Sequence, residues 1–459
     1  MRPPFKSPAA FCLCRDVDAT RLTAFSGDVS DGPVLHPLLN CRAMVGPVHP
    51  HPEPGLPRPL CAAMVVQFAA GGAVMPFVSL LLRDRGLEVS RISLIFAACS
   101  GTLLIFPFLW GMLADRYIPL NRLFTLLNLL GCVALAAFAA QTEFVGMLIA
   151  FTVFYACFHP TLTLINALAF HHLPNPREQF SRLRAWGSVG WIVPFLPISL
   201  WMALTNGIGF EFTLFFGAGL CLAMAALTFW LPHTPPGALH QEIGAQPGSY
   251  LPAVKRLLGD PNYITLLVSF FLMAGSYALL FFYSPPYLED AGVPRPWIGP
   301  VQAIGVIWEI ILFRGQPALL RRWNFAIIIL VGCIALVLRH LVFALLDNPW
   351  VLSASYLLAG TAFVFYHTGT SVLVNAIAGP KVRATAQTLL VFFGSGMGTM
   401  AANWMAGRLT LSSGGRLGPL FLFAAGLAGL AALLVAIRGR QLNQVGHAEM
   451  RASQAAAKP

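Results

Sequence analysis

Apolar residues in this chain run in long blocks, separated by short connections rich in arginine, proline and glycine. A helix needs about 20 apolar residues to cross the hydrocarbon core of a bilayer. Windows of that size predict twelve crossings, at 60–82, 90–113, 122–140, 143–168, 183–204, 208–231, 262–284, 298–318, 323–345, 349–378, 385–407 and 417–437. A polar, proline-rich stretch, LPHTPPGALHQEIGAQPGSYLPAVKRLLGD, divides six from six. The pattern therefore predicts an all-α membrane protein. Two six-helix halves are expected at 59–231 and 262–438, with a cytoplasmic central loop at 232–261 and a tail at 439–459. Residues 1–58 have mixed polarity, many prolines and no apolar core. They are either a disordered extension or a start placed too early, with Met44 nearer the true one.

Composition agrees with the blocks. Of 459 residues 57% are hydrophobic and only 10% charged, against about 25% charged in soluble domains. The net charge of +11 lies in short loops rather than on a basic face, so it sets topology and does not indicate nucleic acid. Fourteen Lys and Arg fall in the even-numbered connections and the tail. Six fall in the odd-numbered ones: Arg83, Arg85, Arg91, Arg295, Arg408 and Arg416. Cytoplasmic loops carry the excess, which predicts both termini in the cytoplasm. The first outside loop, with three arginines, runs against the rule. Nine scattered cysteines show no paired spacing, so no metal or cofactor is expected.

The halves resemble each other. LRDRGLEVSRI (82–92) matches LEDAGVPRPWI (288–298), repeating Leu82/Leu288, Asp84/Asp290, Gly86/Gly292 and Ile92/Ile298. LINALA (164–169) matches LVNAIA (373–378). The offsets are nearly equal (288 − 82 = 206 and 375 − 166 = 209). Such duplication is the architecture of rocking transporters, whose site lies between the halves near the midplane.

Three ionisable residues fall within consecutive crossings: Glu309 in AIGVIWEIILF, Arg339 in LVLRHLVFALL, and His367 in the tenth. An ionised side chain at mid-membrane costs from about 2.5 kcal/mol upward, so it must face protein or water. A carboxylate beside an arginine is held as the anion; moved away and desolvated, it takes a proton. Glu309 is the expected proton carrier, Arg339 its charge partner, and His367 a relay or substrate contact. The bland alternative is a structural Glu309–Arg339 pair that orients helices without titrating.

GMLADRYIPLNR (111–122) lies between the second and third crossings and resembles the G-x-L-x-D-R signature of the major facilitator superfamily. That resemblance makes Gly111, Asp115, Arg116 and Arg122 a cytoplasmic gate motif, with Gly111 allowing close helix approach. FSRLRAWGSVGW (180–191) resembles the lactose-permease-like branch, which includes phenylpropionate permease-like proteins and nucleoside–proton symporters. By that resemblance Arg184 contacts substrate and Trp191 is an aromatic platform. YLEDAGVPRPWIGPVQAIGVIWEIILF (287–313) and LLAGTAFVFYHTGTSVLVNAIAGPKVRATAQ (357–387) are similar to the phenylpropionate and nucleoside branch. Compared with lactose permease, Asn166 replaces a sugar-binding carboxylate and Asn375 stands near a missing second one, and both are expected to bind substrate. Lactose is thus not the expected substrate.

The resemblance implies a twelve-helix major facilitator fold in a bacterial inner membrane, working as a monomer. It would import a small organic solute (aromatic acid, nucleoside or sugar) with protons by alternating access. An uncoupled or exporting facilitator is the main rival. A membrane enzyme is disfavoured because no His, Asp or Cys cluster gathers at one membrane face.

Overall fold

A computed structural model of the chain describes residues 56–173, 176–206, 209–236 and 250–446. The expectations for 1–55 and for the end of the tail lie outside them. Without water in the bilayer, backbone N–H and C=O groups must bond within their own segment, and long helices achieve this. Eleven helices among the described residues are long and apolar enough to span: span 1 (Arg58–Asp84), span 2 (Val89–Arg116), span 3 (Leu120–Ala140), span 4 (Phe144–His172), span 5 (Arg182–Leu204), span 6 (Glu211–Trp230), span 7 (Pro261–Asp290), span 8 (Arg295–Gly315), span 9 (Phe325–Leu345), span 10 (Pro349–Gly379) and span 12 (Gly418–Ile437). The expected span 11 is also helical. Past a break at Gly379 and Val382 the chain continues through a π-helical segment, Phe392–Gly398, into Thr399–Ser412. Its Gly394, Gly396, Gly398, Thr399 and Asn403 dilute its apolar character.

The repeated loop motif has a structural reason. Gly86 and Gly292 both have positive φ, 76° and 91°. In each, a 6→1 bond follows, Leu87 N–H to Leu82 C=O and Val293 N–H to Leu288 C=O. These are glycine-terminated helix ends, where a side chain would strain the left-handed turn. The duplicated sequence thus encodes the same stop after spans 1 and 7. The starts are encoded too: Asp260 before Pro261, and Asn348 before Pro349, accept hydrogen bonds from backbone N–H groups of the first turn, as N-caps do.

The central loop is not wholly irregular. Tyr250–Gly259 is a helix whose Leu257 is buried and whose Val254 packs beside it against the last six spans. The polar stretch hid four apolar residues at helical spacing, Leu251, Val254, Leu257 and Leu258.

Spans 8 and 10 touch backbone to backbone. A Cβ on Gly360 would fall 2.4 Å from the Gly305 carbonyl oxygen and 3.0 Å from the Glu309 nitrogen, so this contact fixes where Glu309 stands. Gly360→Val is expected to prevent the pair from closing, since packed interiors do not yield by an ångström. Size-exclusion elution of a fluorescent fusion checks it: an aggregate is expected in place of the monodisperse peak.

Candidate functional site

A cavity of about 400 Å³ lies between the first six and the last six spans. Aromatic side chains form much of its wall, among them Phe68, Tyr155 and Trp191 from one side and Tyr277, Phe281, Tyr356 and Phe363 from the other. Arg184, Glu309, Arg339, His159 and His367 reach it, with Ser188, Gln302 and Thr399 adding neutral polar groups. Among the described residues Glu309 is the one carboxylate of its lining, against two guanidiniums. With the histidines neutral, the cavity carries one positive charge in excess (2 − 1 = 1).

The charge partners differ from the sequence expectation. Arg184 and Ser188 of span 5 line the same cavity as Glu309, and Arg184 is the guanidinium whose charge acts on its carboxylate, at a distance longer than an ion pair. Arg184 in turn approaches the Ser188 hydroxyl at 3.4 Å and lies 4.4 Å over the Phe68 ring. Arg339, the expected partner, acts with Tyr356 and Tyr277 instead. Its guanidinium sits 4.0 Å from the Tyr356 ring centroid and 5.5 Å from that of Phe343. It is only 4% exposed, and its Nε and Nη2 have no hydrogen-bond partner. The reason is register: Glu309 faces span 5, across the cavity from Arg339's own bundle.

His367 ends a π-helical turn, Phe363–His367, a distortion often found at functional sites. It packs against Phe363 at 4.8 Å, and His159 against Tyr155 at 5.0 Å. These are equivalent pairs, each an aromatic followed four residues later by histidine (367 − 159 = 208). From His to Asn the second repeat is one residue longer than the first (375 − 367 = 8, 166 − 159 = 7). A π turn absorbs one such residue.

Asn166 and Asn375, expected to bind substrate, do not line the cavity. Asn166 donates back to Leu162 C=O on its own helix at 3.0 Å. The Asn375 oxygen accepts from Gln387 at 3.0 Å. The helix backbone takes the Asn166 amide nitrogen, and Gln387, beyond the break, takes the Asn375 oxygen. Trp191 does line the cavity, 6.3 Å from Phe281 across the interface.

At the gate motif, Arg116 and Arg122 are not buried and Asp115 is half-buried. Nothing lies within 4 Å of a Cβ built on Gly111, so the close approach expected there is not made. The segment Phe106–Arg116 packs mainly on spans 3 and 4, and Thr368–Val391 mainly on its own half. Contacts between the halves are thus sparse at this end, with Phe108 against Phe392 at 6.0 Å as the ring contact there.

The opposite end is locked by residues that sequence reading used only as evidence of duplication. Arg83 pairs with Glu289 and, at 2.7 Å, with Asp290; Arg295 pairs with Glu289 and, at 2.7 Å, with Asp84. Deeper in, the Tyr283 hydroxyl donates to Ser93 at 2.8 Å and to Asn403 at 3.3 Å. Arg85 caps the end of span 3 through Phe138, Ala139 and Gln141 carbonyls. Two of the three arginines that ran against the charge rule, Arg83 and Arg85, therefore have local work. Their signal was complementarity: RDR in one loop against ED and Arg295 in its repeat.

Glu289 bridges both arginines, so Glu289→Gln weakens the whole cluster. Partly exposed ion pairs contribute up to about 1 kcal/mol each. The variant is expected to raise maleimide labelling of a cysteine placed at Ser284, on the cavity wall, several-fold from this side. The measurement is made in a cysteine-free background; unchanged labelling would mean that the cluster does not hold this end shut.

Two repeats of six spans around a central cavity, closed at one end and sparsely joined at the other, define a membrane transporter of the major facilitator fold. The MFS_1 like family matches residues 59–418, and the chain belongs to that family. The chain is 28% identical over 337 residues to the "Probable 3-phenylpropionic acid transporter" of Escherichia coli (strain K12), covering 71% of this chain and 84% of that one. It is 23% identical over 339 residues to the nucleoside permease NupG of the same organism, covering 70% and 79%. A crystal structure of the nucleoside transporter NupG superimposes with a TM-score of 0.71 at 20% identity, covering 83% of this chain and 98% of that one. The protein is a multi-pass secondary transporter of small solutes, not an enzyme.

Proposed function

We infer that the protein imports a small aromatic carboxylate together with protons across a bacterial inner membrane, as a monomer with both termini cytoplasmic. The observation that carries the substrate class is Arg339. A guanidinium buried in an aromatic wall with two nitrogens unpartnered is a costly arrangement for the empty protein. A ligand carboxylate, which matches the guanidinium fork, would neutralise the excess charge of the cavity and, once the side chain turns toward it, give the guanidinium the partner it lacks. The aromatic lining supplies flat apolar surface for the remainder of the solute.

Proton coupling follows from which halves hold the charges. Glu309 belongs to span 8, while Arg184 and Ser188 belong to span 5. The attraction between Glu309 and Arg184 therefore crosses the interface that rocking changes. The nearer Arg184 stands, the more the anion of Glu309 is favoured. When the halves move so that Arg184 withdraws, the desolvated carboxylate takes a proton. A Glu309–Arg339 pair, both in the last six spans, would move as one body and could not sense the state. Span 5 and span 8 thus provide the switch, and span 9 provides the anion site. His159 and His367 flank the cavity as polar contacts for the solute. In this orientation the sparsely joined end, with Asp115 and Arg116, faces the cytoplasm, and the molecule is inward-open.

Neutral nucleosides are the second reading, favoured by the NupG likeness and by Gln302, Ser284 and Thr399 in the lining. Competition decides between them. Uptake of labelled 3-phenylpropionate into proteoliposomes is measured with excess unlabelled aromatic acid, nucleoside or disaccharide. Suppression by aromatic acids alone is expected; equal suppression by a nucleoside would favour the second reading.

A further inference from the structure

A second concavity lies on the outside of the helix bundle, a crevice of about 610 Å³ along the seam between spans 2 and 11. Its lining is apolar: Leu94 and Ala97 from span 2, Met400 and Trp404 from span 11, with Phe144 and Leu148 of span 4 as a side wall. Leu94 is 47% and Trp404 46% exposed, and in a bilayer such surface meets acyl chains. At its rim the two helices touch, a Cβ on Gly407 falling 3.3 Å from the Ser90 carbonyl.

Arg91 and Arg408 are each the residue next to that contact, and both are exposed. Each lies over an aromatic ring of the crevice, Arg408 4.3 Å from Trp404 and Arg91 5.6 Å from Phe144. The acidic groups of the rim are Glu88 and Glu143. The ion pairs among the described residues engage Arg83 and Arg295, not Arg91 or Arg408. Two guanidiniums therefore stand beside an apolar slot on the outer surface of the bundle.

We propose that this crevice is a binding site for one anionic phospholipid. Its phosphate sits between Arg91 and Arg408, and one acyl chain fills the slot beside Trp404. Phosphate suits the guanidinium fork, and each basic residue near a membrane surface adds to the attraction for anionic lipid. The site joins the first six spans to the last six at the end held shut. A lipid there tightens the same end as the Arg83–Glu289–Arg295 cluster, independently of what the central cavity carries.

The test uses the full chain in phosphatidylcholine nanodiscs with increasing mole fractions of phosphatidylglycerol brominated on its acyl chains. Bromine quenches nearby indole fluorescence, and subtracting the Trp404→Phe protein isolates the Trp404 signal. Trp404 quenching is expected to saturate at a low mole fraction of brominated phosphatidylglycerol. In Arg91→Gln/Arg408→Gln the half-point should rise about tenfold or more, the combined effect of two surface charges. Arg91→Lys/Arg408→Lys, which keeps the charge, should stay within about twofold of wild type. Both pairs are surface changes, and monodisperse elution verifies folding. Equal quenching by brominated phosphatidylcholine, or an unchanged half-point in the glutamine pair, would overturn the site. So would a lysine pair as weak as the glutamine pair.

Discussion

Arg339→Met is expected to weaken binding of aromatic carboxylates by at least about 30-fold, equivalent to about 2 kcal/mol, while raising the melting temperature of the empty protein. The two effects have one cause. Arg339 is buried, lies against Tyr356 and leaves Nε and Nη2 without partners. A cation–π contact returns about 2 kcal/mol when desolvated, less than the several kcal/mol of removing an ion from water. Methionine fills similar space with no charge to desolvate. Substrate binding is measured by ligand-dependent thermal shift, and stability by the same experiment without ligand. A purely structural arginine would show the opposite pattern, a lower melting temperature with affinity retained. Neutral solutes, which gain nothing from the guanidinium, should bind the variant as they bind the wild type.

Glu309→Gln is expected to abolish accumulation while leaving exchange intact. Glutamine keeps the size and polarity of the side chain but cannot change its charge as Arg184 approaches and withdraws. The loaded carrier can then cross in both directions, since a protonated glutamate and a glutamine present the same charge to the interface. What is lost is the coupling that lets the proton gradient drive the solute uphill. Counterflow, in which labelled solute enters against unlabelled solute inside, should persist near the wild-type rate. Active uptake driven by an imposed pH difference should fall to the level of empty liposomes. Arg184→Gln should impair both, because it removes the partner that holds the anion in one state.

Much of this was legible in the sequence, and what was missed has physical reasons. Span positions follow from one-dimensional hydropathy, because the bilayer forces each segment to satisfy its own backbone. Even span 11, diluted by glycine and asparagine, was recognisable between its neighbours. Glu309, Arg339, His367, Arg184 and Trp191 all line one cavity because charged residues in apolar helices have few other places to go. Which of them face each other was not legible. Helix order in the sequence put Glu309 beside Arg339, whereas tertiary packing turns span 8 toward span 5. Asn166 and Asn375 mislead for a related reason: a short amide on a helix has its own backbone and close neighbours within reach. The cluster of Arg83, Asp84, Glu289 and Arg295 was visible as letters. Its meaning needed the knowledge that equivalent loops of the two repeats meet at the pseudo-twofold axis, where Arg83 and Glu289 occupy matched positions (289 − 83 = 206) with opposite charge.

The central claim is that solute and proton move together, coupled by the attraction of Glu309 on span 8 for Arg184 on span 5. It is tested most directly by recording external pH as 3-phenylpropionate is added to weakly buffered proteoliposomes of wild type and of Glu309→Gln. The account predicts alkalinisation outside the wild-type vesicles and none with Glu309→Gln, although labelled solute still exchanges there. Solute entry without any pH change in the wild type would contradict it, leaving Glu309 as part of the scaffold.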